Sequence, residues 1–201
     1  MLGGLLPVRI ASGARLIEHR EILMYDPRTL ESTLRATSPM LMVFLQGFDD
    51  ENRTQQAPGL PNHVSWTLGH LALTMHRAAD VIAGFNEPQT LPTNDWVHGD
   101  GTAGDPSRYD TESVRLGSRP ISDAGAYPRM RRAVEIFEAG IDRLGSEVAS
   151  ASEASLTREV RWGSRTLEAG ALVQRVIVHN GVHAGQIADL RRALGMPGVI
   201  G

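Results

Sequence analysis

Apolar side chains recur along this chain in steps of three and four, the spacing that holds one face of a helix against its neighbours. Four segments carry the pattern. In the first, Asp26 and Pro27 form a helix start, an N-cap followed by proline at the first helical position. Leu30, Leu34, Leu41, Leu45 and Phe48 then give the period. Pro39 falls inside and is expected to kink or break the helix, which Gly47 and the run Asp49-Asp50-Glu51-Asn52 bring to an end. A second helix is expected after Pro61 with Asn62 as its cap, core positions at Val64, Leu68, Leu71, Met75 and Ile82, and a stop at Gly84. A third begins near Ser122 or Asp123 and has the cleanest stripe, Met130, Val134, Phe137, Ile141, Leu144 and Val148. The fourth runs from about Thr166 to Gly195-Met196-Pro197, a helix stop followed by a proline.

Between the second and third helices lies Asn86 to Pro120, dense in Pro, Gly and Asp, with Trp96, His98 and Tyr109 dispersed through it. A connection that long is uncommon unless it is functional or disordered. Arg161-Trp162-Gly163-Ser164 reads as a turn or short hairpin. Four helices, one long crossover loop between helices two and three, and no convincing strand predict an all-α fold, a four-helix bundle. The 201 residues suit one core, expected over 24–201. Residues 1–23 precede the first helix signal and are expected to be an N-terminal extension or docking arm.

Composition narrows the function more than the fold. With 41% hydrophobic and 21% charged residues the chain resembles a soluble globular protein. A formal net charge of −3 gives no reason to expect a nucleic acid or an anionic membrane as partner. No apolar run approaches the roughly 20 residues of a membrane span. The apolar start Met1 to Pro7 lacks a basic region and is interrupted by Pro7, so it does not read as a signal peptide, and the expected compartment is the cytoplasm. Cysteine is absent, which removes thiolate ligands and cysteine nucleophiles. Lysine is absent too, all 20 basic residues being arginine, which removes Schiff-base chemistry and a P-loop lysine. GC-rich coding is a sufficient reason for arginine alone.

Against that background the fourth stripe is anomalous. It runs Leu172, Val176, His179, His183, Gln186, Ile187, Leu190, Leu194, with two imidazoles and an amide where apolar groups belong. An unsatisfied buried polar group costs roughly 1–3 kcal/mol, so three of them need compensation. A pair at i and i+4 points both rings to one side, where one metal ion can accept both nitrogens. Two ligands leave a divalent ion under-coordinated, and His70, mid-way along the second helix, is the candidate third. Hydrogen-bonded core histidines are the competing reading. Gln186 is a weak ligand and a better candidate for orienting a ligand or bound molecule. Trp66 is by default a core residue. His76, six residues past His70 and rotated off its face, is expected at the surface. His98 is a candidate proton shuttle, and His19 has no assigned role.

These residues resemble the DinB-like family of damage-inducible metal-binding four-helix bundles, also called the bacillithiol-transferase-like superfamily. The resemblance rests on Asn62-His63-x-x-Trp66-x-x-x-His70-Leu71 and on His179-x-x-x-His183-Ala184-Gly185-Gln186-Ile187. The second signature continues to Leu190-Arg191-Arg192-x-Leu194-Gly195-Met196-Pro197. Carried over by position, the family's metal ligands become His70, His179 and His183, with Gln186 and Trp66 beside the cofactor site. Residues 1–23 and the Asn86–Pro120 loop lie outside the pattern.

Three neutral imidazoles suit zinc or nickel first, and iron also. They leave coordination positions open, as catalytic zinc sites do. The resemblance implies a metal-dependent thiol S-transferase of the detoxification type, in which a low-molecular-weight thiol such as bacillithiol or mycothiol is a co-substrate conjugated to a small-molecule electrophile. A metal-dependent hydrolase or isomerase would use the same three histidines with an acid–base partner drawn from Glu87, Asp95, His98 or Asp100. A metal-binding stress-response module with no reaction is the third reading. Relatives also suggest a homodimer, paired through the first helix and residues 1–23.

Overall fold

The computed structural model describes residues 24–85 and 114–200. His19, Glu87, Asp95, Trp96, His98, Asp100 and Tyr109 therefore lie outside the described residues, as do residues 1–23 and most of the expected crossover loop.

Helix α1 spans Pro27–Leu45 and starts as its sequence requires: the Asp26 carboxylate accepts from the Arg28 N–H at 3.2 Å and from the Thr29 hydroxyl at 2.6 Å. Leu30, Leu34, Leu41 and Leu45 are buried. Pro39 does not break the helix. It lies on the exposed side, where water can meet the carbonyl that a proline leaves unpaired, while Leu34 and Leu41 on either side of it are fully buried.

Helix α2, Val64–Ala83, is capped by His63 rather than Asn62: the His63 imidazole Nδ1 accepts the Trp66 N–H at 3.1 Å. It ends at Gly84, whose φ of +98° is the left-handed conformation that glycine adopts without strain. Asp123 caps only a short 3-10 turn, Ala124–Ala126. The long helix α3, Met130–Ser150, starts where its stripe does but later than the expected start at Ser122 or Asp123, because Pro128 holds Tyr127 extended (φ −136°, ψ 151°). Its first N–H, on Met130, donates 2.7 Å to the Asp50 carboxylate, a cap supplied from a distant loop.

A five-residue helix α4, Glu153–Thr157, follows, capped by Ser152. Strands β1 (Glu159–Trp162) and β2 (Arg165–Glu168) then pair antiparallel, Val160 opposite Leu167 and Trp162 opposite Arg165, about a turn at Gly163. This small hairpin takes up Thr166, so α5 begins at Ala169 and runs to Ala193. Gly195 closes it with φ +70°, the Met196 N–H bonding back to the Arg191 carbonyl at 3.0 Å.

The four long helices form a bundle in which α1 and α2 each pack against both α3 and α5. One core runs through it, drawing Leu34 and Leu41 from α1, Leu68, Leu71 and Met75 from α2, Phe137 and Leu144 from α3, and Leu172, Val173 and Val176 from α5. Helix α2 is buried almost all round. Gly140 of α3 lets the pair α2–α3 close up: a Cβ there would lie 3.2 Å from the Ala72 Cα. No helix among the described residues is long and apolar enough to cross a membrane.

Candidate metal centre

His70 on α2 and His179 and His183 on α5 meet between those two helices, each offering a ring nitrogen within 4.8 Å of the others. The His70 ring is held from two sides. Its Nδ1 donates to the Val114 carbonyl at 2.7 Å, and its face lies against the Trp66 indole, centroids 4.6 Å apart and planes 11° from parallel. The indole N–H is itself tied to the Ser118 hydroxyl at 2.9 Å. With its proton committed to Val114, His70 presents a bare lone pair at Nε2.

The Nε2 of His179 lies 3.2 Å from the Nε2 of His70 and 3.2 Å from the Nε2 of His183. A neutral ring nitrogen carries one proton or one lone pair, never both. His179 Nε2 can therefore complete a linear hydrogen bond to only one of its two neighbours, and its own Nδ1 is buried without a partner. A network of three neutral imidazoles is thus left unsatisfied. A divalent ion fits the donor set: metal–nitrogen bonds of 2.0–2.1 Å in a tetrahedral arrangement place the nitrogens about 3.3 Å apart.

Burial keeps the rings neutral and ready as ligands. It pushes His179 down to about 3, helped by the adjoining His183 and His70 rings and the Arg175 charge. It pushes His183 down to about 4, with the neighbouring His70 ring adding to the effect and Gln186 opposing it. His70 is lowered by burial, against the bond to Val114.

Beside the cluster opens a cavity of about 560 Å³, a size usual for small-molecule sites. Helix α2 contributes His70, Leu73, Thr74 and Arg77 to its wall, and α5 contributes Leu172, Arg175, Val176 and His179. The hairpin adds Arg161, Trp162 and Gly163, and Arg115 and Leu116 complete the described lining.

A model of the DinB superfamily matches residues 33–187. The chain belongs to the DinB superfamily. Among solved structures it resembles a conserved protein from Enterococcus faecalis, 16% identical, with a TM-score of 0.64 over 86% of this chain and 99% of that one. It also resembles a mutant of a mycothiol-dependent maleylpyruvate isomerase, 12% identical, with a TM-score of 0.58 over 84% of this chain and 66% of that one. At such identities the likeness is one of fold. No curated protein matches the sequence.

In this DinB bundle the three histidines singled out by pattern stand together. Trp66 is 4% exposed and backs His70, while Gln186 is half-buried one turn beyond His183, its Oε1 3.5 Å from the Asn62 amide. His76 is a correction. It is 5% exposed, accepting from Arg143 at 3.1 Å beneath the Arg143–Asp80 ion pair. Leaving one face of α2 does not lead to solvent, because the helix is enclosed by neighbours on its other faces too. His63 belongs to the scaffold, its Nε2 donating to the Ile121 carbonyl at 3.0 Å.

The cavity arginines were absent from the expected site, although spacing held the signal. Arg175 precedes His179 by four residues and Arg77 follows His70 by seven, so each shares a helical face with a ligand candidate.

Proposed function

We propose that this DinB protein is a divalent-metal-dependent thiol S-transferase, conjugating a low-molecular-weight thiol of the bacillithiol or mycothiol type to a small electrophile. The reading rests on one observation above others: three Nε2 atoms, of the buried His70 and His183 and the half-buried His179, converge beside an open cavity in a chain with no cysteine of its own. His70, His179 and His183 would hold the ion, and zinc or nickel is the first choice for three imidazoles. Such an ion supplies the chemistry of drawing a thiol's pKa down until it is a thiolate. The mycothiol dependence of the structurally similar isomerase accords with a thiol co-substrate.

The chain's own residues set the conditions for that chemistry. Val114 and Trp66 fix the tautomer and plane of His70, so its lone pair faces the other two rings. Gln186, beside His183, would orient that ring or a bound co-substrate. Leu73, Leu172 and Val176 present apolar wall to the cavity next to His70 and His179, and displacing water there strengthens each electrostatic contact.

Hydrolysis or isomerisation without a thiol is the second reading, and it needs a proton-transfer group at the cluster. The described wall supplies no carboxylate, and the candidates for that role, Glu87, Asp95, His98 and Asp100, lie outside the described residues. Conjugation of bacillithiol, mycothiol or coenzyme A to a chromogenic aryl halide tests the choice. Metal-loaded protein should accelerate at least one of these reactions, and the acceleration should vanish in His179→Ala. Loaded protein that conjugates none of the thiols, yet hydrolyses esters in their absence, contradicts the transferase reading.

A further inference from the structure

Four arginines, Arg77, Arg115, Arg161 and Arg175, line the cavity beside the histidines, and no acidic residue stands among the described lining. The concentration is unlike the chain as a whole, whose formal net charge is −3. Arg77 and Arg115 engage other groups as well. Arg161 and Arg175 form no ion pair with any described residue; the Arg161 Nε donates to the Gly163 carbonyl at 3.3 Å. They approach the cavity from different elements, Arg175 from α5 one turn before His179 and Arg161 from the hairpin. The charge of Arg175 is felt at His179 itself.

The same wall carries apolar groups, Leu172 and Val176 from α5, on the helix that bears Arg175 and His179, and Trp162 from the hairpin, next to Arg161. Guanidiniums in a cleft with low-dielectric walls raise the local concentration of anions, and their planar fork matches a carboxylate or phosphate through two parallel hydrogen bonds. An apolar wall stabilises an apolar body laid against it. The arginines and the apolar wall therefore select different parts of one ligand.

We propose that the cavity takes a small organic anion with an apolar body: its acid group on Arg161 and Arg175, its body along Leu172, Val176 and Trp162, and its far end at His70 and His179. The proposal gives the thiol-transfer reading the chemical class of one co-substrate. It rests on that reading only for the claim that the anion's far end reacts at the histidines; the binding itself stands on the arginines.

Calorimetric titration with hexanoate, and with hexanamide as its uncharged counterpart of like shape, tests the proposal on protein whose metal content is measured in the same sample. Hexanoate should bind saturably and at least about tenfold more tightly than hexanamide, and added salt should weaken it. Arg161→Gln and Arg175→Gln should each weaken hexanoate about tenfold or more while leaving metal content and melting temperature near those of the parent. Equal binding of hexanoate and hexanamide overturns the proposal, as does hexanoate binding that neither substitution weakens. The two readings fail separately. A parent that lacks metal yet binds hexanoate through both arginines keeps the anion site and removes the metal centre. A fully metallated parent with no arginine-dependent binding does the reverse.

Discussion

His63 and His183 take up a proton only near pH 4, and His179 only near pH 3, against 6.5 for an ordinary imidazole. Burial is the main cause for all three. In the unfolded chain the same rings protonate around 6.5, so between that pH and about 4 the unfolded state binds more protons than the folded one. Stability is therefore complete above about 6.5 and declines as the pH falls. Each ring contributes up to about 1.4 kcal/mol for every pH unit within the window. The melting temperature of metal-free protein should fall continuously from pH 7 to pH 4.5, and a flat profile would contradict the buried, neutral state. Metal should leave over the same descent, since protons and the ion compete for the same lone pairs. His63 was visible in the sequence only as part of a signature. Its work as a cap emerges from the ring's two bonds, one to the Trp66 N–H and one to the Ile121 carbonyl.

At the scale of elements, the legible parts were those in which local chemistry and packing agree. Asp26-Pro27, Gly84 and Gly195 end or begin helices in the structure as they do in the sequence, since caps act through their own backbone. Three features escaped for distinct reasons. The five residues of α4 are too few to show a period. The start of α5 moved because Thr166 pairs with Arg161 across the hairpin, a contact no helical pattern reports. His76 was assigned to solvent because its own helix face was considered without the helices around it. The hairpin also fixes an unusually close contact: a Cβ on Gly170 would lie 2.4 Å from the Tyr25 ring, whose hydroxyl donates to Glu168 at 2.5 Å. Gly170→Ala should destabilise the protein by about 1–3 kcal/mol through overpacking, even though alanine is favoured over glycine in a helix by up to ~1 kcal/mol. Chemical denaturation measures the balance, and a variant as stable as the parent would show that Tyr25 yields freely.

In the whole molecule α5, which carries two of the three histidines, is anchored to α1 beyond them. At its C-terminal end Arg191, 4% exposed, donates to the carbonyls of Phe44 (3.2 Å), Pro197 (2.8 Å) and Gln46, closing α5 onto the end of α1. Arg191→Met keeps the length of the side chain and strands those acceptors. The expected loss is about 3 kcal/mol or more, or roughly 6–12 °C in melting temperature for a chain of this size. The folded fraction should keep its metal, because the histidines lie two turns and more away along the helix; a folded variant without metal would mean that the end of α5 sets the geometry of the centre. The bundle and the histidine triad were both legible because each depends on helical periodicity. The cavity was not, since it also needs a hairpin and a segment near Arg115 that no single period connects to α2 and α5.

The central claim is that His70, His179 and His183 form a metal centre. Metal content by plasma mass spectrometry tests it most directly, on tag-free protein beside a His179→Ala, His183→Ala double mutant whose fold is checked by circular dichroism. The account predicts about one equivalent of a divalent transition metal in the parent and almost none in the folded double mutant. A parent that remains free of metal after reconstitution, or a double mutant that binds as much as the parent, would contradict it.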